Sequence, residues 1–398
     1  SKEYKNSISS PIIKIAIIAI SLGMIVMLIA IATGGGLREK IRSKISGFKG
    51  HVQITNYDAN NSDGSVIPID KNQKFYPSFS NIEGIKNVQV YANQVGLIRT
   101  KTDFEGIIFK GVSSDYDWTF FKEYLISGSL PNFNQKRTRD ILLSSTVINR
   151  LKLQLNDTIN VTFFKSNTNK LPSNRKLVIV GVYDTGFMEF DKNMMIGDIR
   201  QVQRLNKWKS NEVGGFEIIL ENFDDLNLKG NEIYREIDST LDATTIAAKY
   251  PALFEWIELF DNNTWFIIII MILVAGINMI TALLVLILER IPMVGVLKSL
   301  GSSNWSIRKI FLYNASYLIF IGLFWGNLVG LMLLFIQKYG GIITLDPATY
   351  YVSEVPVSIN MLSIVLLNIG TLIVCFVMLI IPSTIITKIE PSKSIKFA

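Results

Sequence analysis

Residues 288–309 read LERIPMVGVLKSLGSSNWSIRK and lie between two long apolar runs. A turn joining two membrane helices needs only a few polar residues, and this linker is longer than that. It also has a helical pattern of its own. Pro292 suits a first helical turn, where its missing N–H costs nothing. Met293, Val296, Leu297 and Leu300 follow at i, i+3, i+4 and i+7, which predicts one apolar face about two turns long. Gly301 marks a stop. Ser302, Ser303 and Asn304 offer caps for a second helix beginning near Trp305. The linker reads helix, break, helix. Such a helix either lies on lipid headgroups or docks as a knob in a groove of a partner protein.

The flanking runs set the class. The chain has 398 residues, 49% of them hydrophobic and 18% charged, which is apolar for a soluble protein. Four segments, near 12–33, 264–288, 310–336 and 361–381, each reach the ~20 apolar residues that cross ~30 Å of hydrocarbon. The first exceeds a signal-peptide core of roughly 7–15 residues. It is expected to stay as an anchor, although Ala30-Ile31-Ala32 resembles a cleavage site. Lysine and arginine mark the cytoplasmic side of short loops. Lys2, Lys5 and Lys14 precede the first segment. Arg290, Lys298, Arg308 and Lys309 separate the second from the third, and Lys388, Lys393 and Lys396 follow the fourth. Both termini are therefore expected in the cytoplasm. Arg38, Lys40, Arg42, Lys44 and Lys49 fall on the far side, where a long translocated domain weakens the rule. The net charge of +7 then belongs to the membrane flanks. No basic patch interleaved with aromatics points to nucleic acid.

Domain boundaries follow. Residues 1–33 hold the N-terminus and first helix, 34–50 a stalk, and 51–260 an external α+β domain. The second helix takes 261–290, the linker and the start of the third helix 291–309, and the third helix 310–338. An external loop fills 339–360, and 361–398 hold the fourth helix and tail. Within 51–260, β-branched and aromatic runs such as HVQITNY, FEGIIFKGV and RKLVIVGVYDTG are bounded by turn residues. STVINRLKL and DIRQVQRLN read as helices. The polar, Pro-containing TFFKSNTNKLPSNRK interrupts the strands and predicts two lobes. The fold class is an α+β membrane protein: four transmembrane helices, with the large domain inserted between the first and second.

Smaller motifs carry less chemistry. Gly34, Gly35 and Gly36 lack the lysine of a phosphate loop and read as a flexible joint between helix and stalk. Gly322, Gly326 and Gly330 form a doubled GxxxG that permits close helix packing, within one chain or across a dimer. Asn278, Asn327 and Asn368 read as interhelical hydrogen-bond partners. No Asp, Glu, Lys or Arg lies near mid-membrane, which argues against an ion-coupled transporter. The single histidine, His51, excludes a multi-His metal site and reads as structural or solvated. The single cysteine, Cys375, lies in the fourth helix, so the external domain is expected to hold together without a disulfide. No Walker A sequence is present. Any ATP and Mg used by this system are expected on another polypeptide, and no metal site is expected here.

The segment LERIPMVGVLKSLGSSNWSIRKIFLYNA resembles the stretch after the second membrane helix of FtsX-like ABC permeases, with the pattern E-[RK]-x4-G-x-L-[KR]-[ST]-L-G. Glu289, Arg290, Gly295, Leu297, Lys298, Ser299, Leu300 and Gly301 match it in order. The four-helix layout and the tail pattern Pro-x3-[IL] at Pro391 to Ile395 are also similar. Within that superfamily, ISGSLPNF, ILLSSTVINRLKLQLNDTINVTFF and the TG-x2-E-[FY]-D stretch at residues 185–191 resemble the lipoprotein-releasing permeases.

The resemblance implies a permease subunit without catalytic residues. Its partners would be a cytoplasmic ATPase dimer, a second permease subunit (homo- or heterodimeric), a lipoprotein substrate, membrane lipids and a periplasmic chaperone. It implies an ATPase-docking coupling helix built from Glu289, Arg290, Met293, Gly295, Val296, Leu297, Lys298, Leu300 and Gly301. It also implies a chaperone-binding hairpin around Lys165, Lys170, Leu171, Pro172, Ser173 and Arg175, with residues 171–173 at its tip. Rival readings are a MacB-like efflux permease, an FtsX-like regulator of a cell-wall hydrolase, and a sensor with no ATPase.

Overall fold

The structure is a computed structural model that describes residues 9–59, 67–134, 137–164 and 171–388. Chain order runs α1 (Ser9–Lys49), β1 (Val52–Asn56), β2 (Ile69–Asp70), β3 (Ile85–Arg99), β4 (Phe104–Val112), α2 (Thr119–Tyr124), β5 (Leu125–Gly128), β6 (Asp140–Ser144) and α3 (Ser145–Leu151). It continues through β7 (Thr158–Phe163), β8 (Ser173–Tyr183), α4 (Met188–Asp191), β9 (Met194–Asp198), α5 (Ile199–Asn206), β10 (Glu212–Val213), β11 (Gly215–Leu220), α6 (Leu226–Glu236), β12 (Leu241–Thr245) and α7 (Ile246–Lys249). Last come α8 (Pro251–Glu289), α9 (Ile291–Ser299), α10 (Asn304–Gly340), α11 (Pro347–Tyr350), α12 (Met361–Ser383) and a 3₁₀ turn, Thr384–Lys388. Two compact units result: a helical one of Ser1–Glu39, Trp256–Thr344 and Glu354–Ala398, and a mixed one of Lys40–Glu255 and Leu345–Ser353.

In the helical unit, four helices are long and apolar enough to cross a membrane. At 1.5 Å per residue, the 41 residues of α1 span about 60 Å, twice the hydrocarbon thickness. The helix runs unbroken through Gly34, Gly35 and Gly36, so the expected joint is corrected: Gly34 and Gly36 are packing notches. A Cβ on Gly34 would meet Thr264 Oγ1 at 2.8 Å, and one on Gly36 would meet the Pro356 carbonyl oxygen at 2.5 Å. Gly35 faces open space.

The doubled GxxxG packs within the chain. Gly322, Gly326 and Gly330 of α10 receive Ile20, Met24 and Leu28 of α1. The Ser21 hydroxyl donates to the Gly322 carbonyl at 2.9 Å. Small residues allow this approach where lipid offers no hydrophobic drive. Asn327 and Asn368 exchange amide hydrogen bonds of 2.7 and 3.0 Å between α10 and α12. Asn278 makes no such bond among the described residues.

The mixed unit contains a ten-stranded sheet in the order β12-β1-β11-β3-β4-β9-β6-β8-β5, with β7 pairing both β3 and β8. Those pairings close on themselves: β3–β4–β9–β6–β8–β7–β3 is a six-stranded ring. This sheet runs through the region where two lobes were expected, and β2 and β10 pair beside it as a separate two-stranded sheet. The polar stretch that predicted a break joins β7 to β8 as an antiparallel hairpin. Phe109 and Phe163 meet edge to face at 5.6 Å, and Gly96 and Gly197 leave room for their rings. His51 is structural, as expected: its Nδ1 accepts from the Leu220 N–H at 3.2 Å, and burial pushes its pKa down to about 4.

The basic residues after the first membrane segment each find a partner inside their own unit. In the helical unit, Arg38 pairs with Asp261 at 2.8 Å. In the mixed unit, Lys40 pairs with Glu123 and Arg42 with Asp224, both at 2.9 Å. Lys44 donates to the Tyr351 carbonyl at 3.0 Å. The charges that disagreed with the flank rule are local fastenings. Exposed pairs of this kind contribute about 0–1 kcal/mol each.

Candidate functional site

The linker folds as α9, a break at Gly301 and α10. Pro292 sits in the first turn of α9. Gly301 takes a left-handed φ of +87°, and the Ser302 N–H closes back on the Leu297 carbonyl at 3.0 Å, a Schellman-type stop. Ser303 then caps α10 by accepting from the Ser306 N–H at 3.2 Å.

The helix is two-sided in a way the linear pattern conceals. Val294 and Gly295 are buried, and Leu297 packs against the core of the membrane helices. Met293, Val296 and Leu300 are exposed by 38%, 50% and 78%. Leu297 is therefore corrected from a docking-face residue to an anchoring one. The free apolar ridge is Met293, Val296 and Leu300, at i, i+3 and i+7.

The linker's cations are also redistributed. Lys298 Nζ donates to the Ile386 carbonyl at 2.8 Å and lies 3.4 Å from that of Thr387. Arg308 donates from Nη2 and Nε to Ser383 Oγ at 2.9 and 3.1 Å. Lys309 stands over the Trp305 ring at 5.6 Å. Glu289 is exposed, and Arg290 is half-buried just before α9.

Residues 185–191 build a socket in the mixed unit. Thr185 donates to Asp191 Oδ1 from its hydroxyl at 2.7 Å and to Oδ2 from its N–H at 3.1 Å. Asp184 accepts from the Gly186 N–H and from the Ser145 hydroxyl. Gly186 needs its φ of +63°, and a Cβ there would meet Ser353 Oγ at 2.8 Å. The buried Phe187 ring lies 5.0 Å from Tyr351. The motif thus receives Leu345–Ser353, a segment whose sequence reads only as a loop. No local signal marks that contact. Burial raises the Asp191 pKa to about 6, offset in part by the Thr185 bonds.

At the β7–β8 hairpin, Phe163 pairs with Ser173 and Val161 with Arg175. Ser173 and Arg175 are strand residues, so the expected tip is corrected. Leu171 is 85% exposed, and Pro172 also precedes the strand. Lys165 and Lys170 lie outside the described residues, as does the tail pattern at 391–395. Arg137 and Arg204 stand close enough to Arg175 to disfavour its charge, after the larger effect of desolvation. Among the described residues, no cluster of three or more His, Cys, Asp or Glu could hold a metal ion.

Four membrane-length helices beside a mixed helix-and-sheet core fit a multi-pass inner-membrane protein. Two family models match the chain: the FtsX-like permease C-terminal model over residues 265–391 and the MacB-like periplasmic core domain over residues 15–247. The chain belongs to the family of the MacB-like periplasmic core domain, and its C-terminal part matches the FtsX-like permease model. Among curated proteins, it is 22% identical to the lipoprotein-releasing system transmembrane protein LolC of Neisseria meningitidis, over 99% of this chain and 96% of that one. It is 20% identical to LolC of Buchnera aphidicola, over 98% and 94%. It is 19% identical to LolE of Haemophilus influenzae, over 98% and 95%. Among solved structures, the periplasmic region of MacB from Actinobacillus actinomycetemcomitans matches at 13% identity, over 51% of this chain and 92% of that one, with a TM-score of 0.33. The extracellular domain of YknZ from Gram-positive bacteria matches at 14%, over 49% and 99%, also with a TM-score of 0.33.

Proposed function

We propose that this chain is a permease subunit of an ABC transporter that extracts lipoproteins from the inner membrane and passes them to a periplasmic chaperone. Both termini lie in the cytoplasm, and a separate ATPase dimer supplies the energy. The observation that carries this reading is the ridge Met293, Val296 and Leu300, exposed on a helix whose other side is fixed by Val294, Gly295 and Leu297. A helix anchored on one side with an apolar ridge left outward suits an apolar groove on a partner. The names of the full-length relatives supply the cargo.

ATP-driven closure of the ATPase pair moves α9 as one piece with α8 and α10. Acyl chains enter sideways between α1 of one permease subunit and α8 of a second. The apolar side chains of those helices provide a pocket with few polar groups. The hairpin bearing the exposed Leu171, with Arg175 at its root, meets the chaperone. ATP and Mg stay on the partner ATPase.

The test is purification of the complex in native-like lipid, with mass-spectrometric identification of what travels with it. An ATPase subunit and triacylated lipoprotein are the expected companions. An outer-membrane channel adaptor or a cell-wall hydrolase in place of lipoprotein would overturn the cargo assignment.

A further inference from the structure

The coupling helix does not stand alone at its end of the helical unit. The 3₁₀ turn Thr384–Lys388 follows α12 directly and is fastened to the linker. Its carbonyls at Ile386 and Thr387 accept from Lys298. Terminal carbonyls of a helical turn lack internal donors, and a cation placed there satisfies them. Ser383, just before the turn, is buried and holds the Arg308 guanidinium. Ile386 is fully buried in the core formed by the membrane helices. Lys298 and Arg308, two of the four linker cations, are thus engaged by their own chain.

Each element keeps apolar side chains facing outward. Met293, Val296 and Leu300 face out from α9, and Ile385, 38% exposed, faces out from the turn beside exposed Thr384 and Thr387. A helix lying on headgroups turns its apolar side to the acyl chains and its cations to the phosphates. Here the side of α9 toward the helical core is already filled by protein, and Lys298 and Arg308 reach carbonyl and hydroxyl groups. That arrangement favours a protein occupant.

We infer that α9 and the turn Thr384–Lys388 form one docking platform for the ATPase subunit, with Ile385 as a second apolar contact and Lys298 as the positioning residue that holds the two elements together. The inference rests on the docking role proposed for α9 and extends it to the C-terminal end of the chain. It gives the basic position of the linker pattern a specific task, clamping the tail to the coupling helix. A ridge two turns long becomes a two-element surface that moves as a unit.

The experiment uses the full chain co-expressed with its ATPase and reconstituted in lipid. In a Cys375→Ala background, Val296→Cys and Ile385→Cys are each labelled with a benzophenone maleimide and irradiated. Both positions are expected to cross-link to the same ATPase subunit. In parallel, Leu300→Asp and Ile385→Asp should each weaken ATPase capture about tenfold, the scale of a buried interface anchor. Lys298→Gln should weaken it as well, and Lys298→Arg should restore it. Cross-linking from Val296 but not Ile385, with undiminished capture by Ile385→Asp, would overturn the platform and leave α9 docking intact. Undiminished capture by Leu300→Asp, or cross-links to lipid alone from both positions, would overturn the docking role and the platform together.

Discussion

Lys110 and Glu217 are each 1% exposed and meet at 2.7 Å in the core of the mixed unit. Gln89 and Gln53 donate to the same carboxylate, and Lys110 also donates to the Phe48 carbonyl in the last turn of α1. The pair thus joins β4 and β11 to the end of the stalk. Removing one partner strands a buried charge and costs about 3–5 kcal/mol, whereas replacing both with apolar residues often costs little. Glu217→Leu should therefore lower the thermal midpoint of the purified protein more than the double variant Lys110→Met, Glu217→Leu does. A double variant as unstable as the sum of the singles would contradict this. Nothing in FEGIIFKGV marks Lys110 as buried. A lysine in a strand ordinarily faces water, and its partner lies far along the chain.

At the scale of elements, the glycines of α1 separate into two kinds. Gly36 adjoins the Pro356 carbonyl, and Gly35 adjoins nothing. Gly35→Ala should raise stability by up to about 1 kcal/mol, because glycine is a poor helix former, and should leave transport unchanged. Gly36→Val should destabilise the protein and reduce transport. A hinge at 34–36 would instead make Gly35→Ala costly, which a thermal melt and a lipoprotein-release assay would reveal. The membrane helices were legible in sequence because a run of ~20 apolar residues has few competing readings. The glycine run misled because, read locally, it signals flexibility. The segments that crowd it, near Thr264 and Pro356, are distant in sequence. Leu297 misled for a related reason: helical spacing finds an apolar face but not which edge of it the rest of the chain covers. The turn Thr384–Lys388 left no sequence signal, since its carbonyls are satisfied by a lysine nearly ninety residues earlier.

For the whole molecule, two buried groups set opposing responses to acid. His51 has a folded pKa of about 4 against a usual 6.5. Its contribution is present above pH 6.5 and is lost as pH falls toward 4. Asp191 is raised from 3.8 to about 6 by burial, with Thr185, Asp184 and Lys44 around it. Its contribution is present below pH 3.8 and is lost as pH rises through 6. Each is worth up to about 3 kcal/mol by linkage, and the two slopes oppose each other between pH 4 and 6. Asp191→Asn should therefore make the thermal midpoint fall on acidification across that range. His51→Gln should make it rise. Parallel profiles for the two variants would refute the assignment. The ring of six strands has a separate effect on how the domain meets other chains. Where its members pair on both sides, closure occupies their ladder groups. The terminal strands of the large sheet are β5 and β12, of four and five residues. Such short stretches give a foreign strand little to extend, so the two ends of the sheet are poor templates for edge-to-edge association.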